Sequence, residues 1–110
     1  MTKIYKILPR SEWHKARDAG VFTGAGIDLK DGYIHFSTAA QAHETARLHF
    51  RGKADLVVLE VDGAVLDLAW EPSRGGALFP HLYGHLPMSA VTAVHEAPLG
   101  ADGIPAFVLT

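Results

Sequence analysis

The segment WEPSRGGALFPHLYG, residues 70–84, sets an indole, a carboxylate, a guanidinium, an imidazole and a phenol among three glycines and two prolines. Each group has a use at a ligand site. Trp70 and Tyr83 offer faces on which a planar ring can stack. Arg74 stands before Gly75 and Gly76, where a guanidinium suits bidentate contact with an anion. Glu71 adjoins the indole, and a partly desolvated carboxylate there would have a raised pKa suited to general-acid work. His81 can move a proton or hold an anionic oxygen, and Ser73 adds a hydroxyl. Proline lacks the N–H and glycine is conformationally loose, so residues 71–85 read as a polar loop.

A second stretch, DGYIHFSTAAQ at residues 31–41, supplies another imidazole. Period-two alternation sets Tyr33, His35 and Ser37 on one face of a strand over residues 33–36, with Ile34 and Phe36 toward the core. The strand feeds a helix whose unpaired first N–H groups would welcome a phosphate or carboxylate. Thr38-x-x-Gln41 matches a capping box and starts that helix. The two stretches are expected to form one site. His35, Glu71 and His81 are its catalytic candidates. Tyr33, Ser37, Thr38, Gln41, Trp70, Ser73, Arg74 and Tyr83 are its ligand-binding candidates. His81 and His85 have the i, i+4 spacing of a metal pair, but Pro80, Gly84 and Pro87 oppose a helix and no third ligand is evident, so no metal is expected.

The remaining chain must position these groups. Residues 3–8, KIYKIL, form a first strand closed by Pro9. Ser11 caps a helix running to Ala19, with Gly20 as its stop. Trp13 and Ala16 share its inner face with Arg17, and Trp13 packs on the sheet. Residues 21–32 contain several glycines and read as a surface loop, either a plain connection or a mobile lid. Ala39, Ala42, Ala46 and Phe50 form the stripe of the second helix, which Gly52 ends. DLVVLEVD, residues 55–62, is the clearest strand and a central one. Residues 64–68 make a short strand or a 3₁₀ turn; residues 90–96 and 104–109 are further strands joined by a turn at 100–103. Two helices, both in the N-terminal half, with weakly alternating strands give an α+β fold with a compact, mainly antiparallel sheet.

At 110 residues the chain is one domain, spanning 1–110, with room for one core. Its apolar content of 48% and charged content of 20% are those of a globular protein. A net charge of −2 gives no signal for nucleic acid. The seven histidines are many for this length. Absence of cysteine excludes disulfides, thiolate nucleophiles and cysteine zinc sites, and fits a cytoplasmic location. The N-terminus has no signal-peptide pattern, and no apolar run reaches the ~20 residues of a membrane span.

DGYIHFSTAAQAHETARLHF, LVVLEVD and LAWEPSRGGALFPHLYGHLP, with Trp13 and the opening KIYKIL, resemble the small bacterial proteins of the domain-of-unknown-function 952 family over essentially the whole chain. The resemblance implies a compact ADP-ribosyltransferase-like fold, the architecture of NAD-cleaving toxins and RNA 2′-phosphotransferases. In those enzymes an opening strand carries a ribose-holding histidine; the corresponding place here is near Lys6. A later glutamate stabilises the oxocarbenium-like transition state, and Glu60, Glu71 and Glu96 are alternatives for it. The implied activity is ADP-ribosyl or 2′-phosphate transfer, with NAD a possible cofactor. Three readings follow: a site binding or acting on a nucleotide-like small molecule, a non-catalytic interaction module on the same fold, or a structural loop covering the sheet edge.

Overall fold

The computed structural model describes residues 2–109, apart from the side chain of Arg74. Eight strands, β1 (Lys3–Pro9), β2 (Val21–Phe22), β3 (Ile34–His35), β4 (Leu56–Asp62), β5 (Ala69–Pro72), β6 (Leu78–Leu82), β7 (Leu86–Pro87) and β8 (Val91–Ala97), accompany three helices, α1 (Arg10–Ala19), α2 (Ile27–Asp31) and α3 (Ala39–His49). The strands form a three-stranded sheet in the order β1-β4-β8, a second in the order β3-β6-β5, and a β2-β7 ribbon. Every pairing within them is antiparallel. The fold is α+β as expected. Among the described residues, no helix is long and apolar enough to cross a membrane.

β4 is central because both of its faces are apolar. Val57, Leu59 and Val61 meet Ile4, Leu8, Phe22, Ile34 and Leu86 in one core cluster, against which Trp13 packs. Leu56 and Val58 meet Tyr5, Ile7, Phe107 and the Ala42–Ala46 stripe of α3 in the other. The small alanines bring α3 close to the sheet, and each fully buried Val or Leu contributes about 1.5–3 kcal/mol. Ala39 departs from the expected stripe, being exposed, whereas Phe50, the C-cap, packs against the Ala42–Ala46 cluster; Gly52 lies beyond the helix end.

Several local expectations are corrected. α1 begins at Arg10 and not under a Ser11 cap; the Arg10 N–H is satisfied by the Asp55 carbonyl at 2.9 Å. Residues 21–32 are not a plain loop, since β2 pairs with β7 and α2 follows, bracketed by Gly26 and Gly32. α2 is the third helix, too short for a 3.6-residue period to reveal. Of the two forms expected for residues 64–68, the 3₁₀ turn is the one found, over Gly63–Val65. Residues 104–109 form no strand and contribute only a bridge between Leu99 and Pro105.

The largest correction concerns residues 71–85. They are mostly a hairpin of β5 and β6, closed by Ser73 N–H to the Ala77 carbonyl at 2.9 Å. Gly75 and Gly76 take the left-handed φ values of 64° and 83° that this turn requires. Pro80 is tolerated inside β6 because its N and O face the end of β3. There its carbonyl accepts from Phe36 N–H at 3.0 Å, and the missing donor leaves only the last rung unmade. Just past that point Tyr5 and Ser37 exchange backbone hydrogen bonds of 2.8 and 2.9 Å, joining β1 to the segment between β3 and α3.

Candidate functional site

The register of the small sheet builds the site. β6 lies between β3 and β5, and His35 stands directly opposite His81. On the other side Ala69 faces His81, so Glu71, two residues along β5, shares the His81 face and reaches it diagonally. Glu71 Oε1 accepts from His81 Nδ1 at 2.8 Å and from the Tyr83 hydroxyl at 2.8 Å. Tyr33 fills the middle, its ring centroid 4.6 Å from His35, 4.3 Å from His81 and 5.0 Å from Tyr83. The imidazoles stand edge to face at 5.4 Å.

Three further groups, absent from the set of sequence candidates, belong here. Asp28 of α2 is only 2% exposed. Its carboxylate accepts from His35 Nδ1 at 2.6 Å, from Lys6 Nζ at 2.9 Å, and from the backbone N–H groups of His35 and Ala25 at 3.0 and 3.2 Å. Lys6 is itself buried and lies 5.9 Å from the Phe22 ring centroid. Asp31, at the end of α2, meets His35 Nε2 at 3.0 Å.

Burial pushes the Asp28 carboxyl up, but the His35 hydrogen bond and the Lys6 ammonium outweigh it and hold its pKa at about 2. Burial pushes the Lys6 ammonium down, against the opposing pull of Asp28. Burial, with the nearby Asp31 and Glu71 charges, pushes the Tyr33 phenol up. The Tyr83 phenol is raised chiefly by its hydrogen bond to Glu71. Glu71 is lowered by the hydrogen bonds from His81 and Tyr83, contrary to the raised carboxyl expected beside Trp70. The reason is the strand pleat: Trp70 lies on the opposite face of β5, opposite Pro80, and is partly exposed.

Of the remaining sequence candidates, Ser37 is buried and its hydroxyl pairs with Thr45 of α3 at 2.8 Å, away from the ring cluster. Thr38 and Gln41 start the helix as read: Thr38 N–H donates to Gln41 Oε1 at 3.0 Å. Gln41 also donates to the Leu78 carbonyl at 2.8 Å, tying α3 to β6. These contacts occupy both residues in structure. Ser73 closes the hairpin turn. The Arg74 side chain lies outside the described residues. Of the alternative glutamates, Glu60 pairs with His95 and Lys3, and Glu96 with Arg10, so Glu71 alone of the three belongs to the ring cluster. Lys6 reaches the site only through its hydrogen bond to Asp28.

A cleft of about 300 Å³ opens beside the cluster, lined by Thr23, Asp28, Gly32, Tyr33 and His85 among others. Among the described residues no three His, Asp or Glu side chains are arranged to hold a metal ion. The chemistry on offer is proton transfer and ring stacking. An imidazole that donates from Nδ1 to a carboxylate has the tautomer that leaves Nε2 able to accept a proton.

The chain matches the family model described as "Protein of unknown function (DUF952)" over residues 7–94. It is similar to protein CC0527 from Caulobacter crescentus, a Northeast Structural Genomics Consortium target. The X-ray structure of that protein is 52% identical over 96% of this chain and 94% of that one, with a TM-score of 0.90. Its solution NMR structure gives 54% identity, coverage of 96% and 92%, and a TM-score of 0.85. No curated protein is significantly similar to the chain. The match over residues 7–94, most of the chain, places the protein in the DUF952 family.

Proposed function

We propose that the protein binds a small nucleotide-like ligand beside Tyr33, His35, His81 and Tyr83, and that the two imidazoles handle protons on it. The observation that carries this reading is the pairing of two carboxylate-held imidazoles across one phenol ring. In this reading the exposed ring of Tyr83 stacks on a base, and Glu71 accepts from a ribose hydroxyl or steadies a developing positive charge. His35 and His81 serve as acid and base. The fold-level part of the proposal is descent from an ADP-ribosyltransferase-like ancestor, with NAD, ADP-ribose or a 2′-phosphorylated RNA end as the ligand class and ADP-ribosyl or 2′-phosphate transfer as the reaction.

A thermal-shift panel of NAD, ADP-ribose, mononucleotides and 2′-phosphorylated RNA ends tests the reading. A ligand at about 100 times its dissociation constant adds about 2.7 kcal/mol of stability and raises the midpoint by several degrees. The shift is expected in the wild type and should disappear in His81→Gln. A flat panel sinks this reading. It would favour the non-catalytic interaction module, for which the exposure of Tyr83, Trp70 and Leu78 on the hairpin is the supporting observation.

A further inference from the structure

The two carboxylates on His35 are held very differently. Asp28 is buried and takes hydrogen bonds from Lys6, His35 and two backbone N–H groups, so it is a fixed part of the fold. Asp31 has a side chain 31% exposed, and its single hydrogen bond among the described residues is the 3.0 Å contact with His35 Nε2. It is the last residue of α2, followed by Gly32 at a φ of 84° on the wall of the cleft. Rotation of one half-exposed side chain would free Nε2 without disturbing Asp28 or the core.

We infer that His35 Nε2 is a subsite for an anionic oxygen, and that Asp31 occupies it until a ligand arrives. The inference rests on the ligand-binding reading above and specifies the ligand's chemistry: a phosphate or carboxylate oxygen that takes over the hydrogen bond Asp31 now accepts. Ionised carboxylate and phosphate oxygens are acceptors alike, so either can take over the contact that Asp31 makes with Nε2. The surroundings permit it. Lys6 is neutralised by Asp28, Glu71 is engaged by His81 and Tyr83, and Tyr33 packs against the ring with its phenol held neutral. Asp31 is thus the one negative charge directly on the ring that can leave.

The test is a titration with inorganic phosphate, and in parallel with acetate, of the full chain. It is read by NMR at the His35 ring and at the amides of Gly32 and Ile34. A position blocked roughly nine-tenths of the time by its own chain binds about tenfold more tightly once the blocking group is removed. Asp31→Ala is therefore expected to tighten phosphate binding by about tenfold. In a His35→Gln chain, the same Asp31→Ala change should bring little gain. The ratio of phosphate to acetate affinity identifies which anion the position prefers. Equal gains in the two backgrounds would overturn the inference, because Asp31 would then act only as a repelling charge. Weaker phosphate binding in Asp31→Ala, or none, would also overturn it. If phosphate binds Asp31→Ala at His35 while the nucleotide panel stays flat, the nucleotide reading fails and the anion subsite stands.

Discussion

Two imidazole–carboxylate pairs of the site, His35–Asp28 and His81–Glu71, are opposites in burial. In the His35 pair the carboxylate is hidden, with the Asp28 side chain 1% exposed, and the ring is 27% exposed. In the His81 pair the ring is hidden at 4% and the Glu71 carboxylate is 40% exposed. His35 is therefore oriented from beneath by an anion that itself needs a buried cation, whereas His81 is oriented from above by an anion that water already solvates. The first arrangement draws on the core; the second is nearly independent of it. Two similar hydrogen bonds thus differ greatly in what the fold must supply to keep them.

Breaking the lower pair should have the largest effect. Asp28→Ala leaves the Lys6 ammonium buried without its partner and should cost about 3–5 kcal/mol of stability, measured by urea denaturation. Adding Lys6→Met and placing Asn at position 28 instead keeps an acceptor for the backbone donors, and should recover most of that loss. If Asp28→Ala is as stable as wild type, the pair is not the support described.

Acid is the next and gentler probe. Asp28 has a folded pKa of about 2 against an ordinary 3.8, so its contribution is complete above about pH 4 and lost as pH falls toward 2. That contribution is ~2 kcal/mol, and Asp28→Asn should remove this limb of the stability–pH curve. An unchanged limb would mean that another carboxylate carries it.

The smallest effect is expected at the upper pair. Glu71→Gln keeps an acceptor for His81 and Tyr83 but removes the charge. The denaturation midpoint should barely move, while the Tyr83 phenol, now raised chiefly by Glu71, should ionise at lower pH in an ultraviolet titration. A Tyr83 titration that does not move would show that the 2.8 Å contact is not formed in solution.

Much of the scaffold was legible in the sequence. LVVLEVD announced the central strand by its nearly continuous apolar run, Gly20 the end of α1, and Thr38 with Gln41 the start of α3. Tyr33, His35, Glu71, His81 and Tyr83 were readable as chemistry-bearing groups, and they do meet. Their meeting depends on the β3-β6-β5 register, which two prolines and three glycines disguised as a loop. Asp28 and Asp31 were hidden for a different reason. A five-residue helix between glycines leaves no periodic signature, and an aspartate there looks like a solvated turn residue until its burial is known. Trp70 was a candidate by proximity along the chain, which does not fix the face a strand side chain takes, and Ser37 by a period-two alternation that ends with β3 at His35.

The reciprocal backbone bonds between Tyr5 and Ser37 have a consequence for motion. They connect the strand leaving His35 to the edge of the main sheet, so the floor of the site shares the sheet's mechanical fate. The amides of Tyr5 and Ser37 should exchange with deuterium only through openings nearly as rare as global unfolding, while those at the C-terminal end of α2 exchange through local fraying. The site would then breathe on one side only, with its histidine side rigid and its Asp31 side yielding.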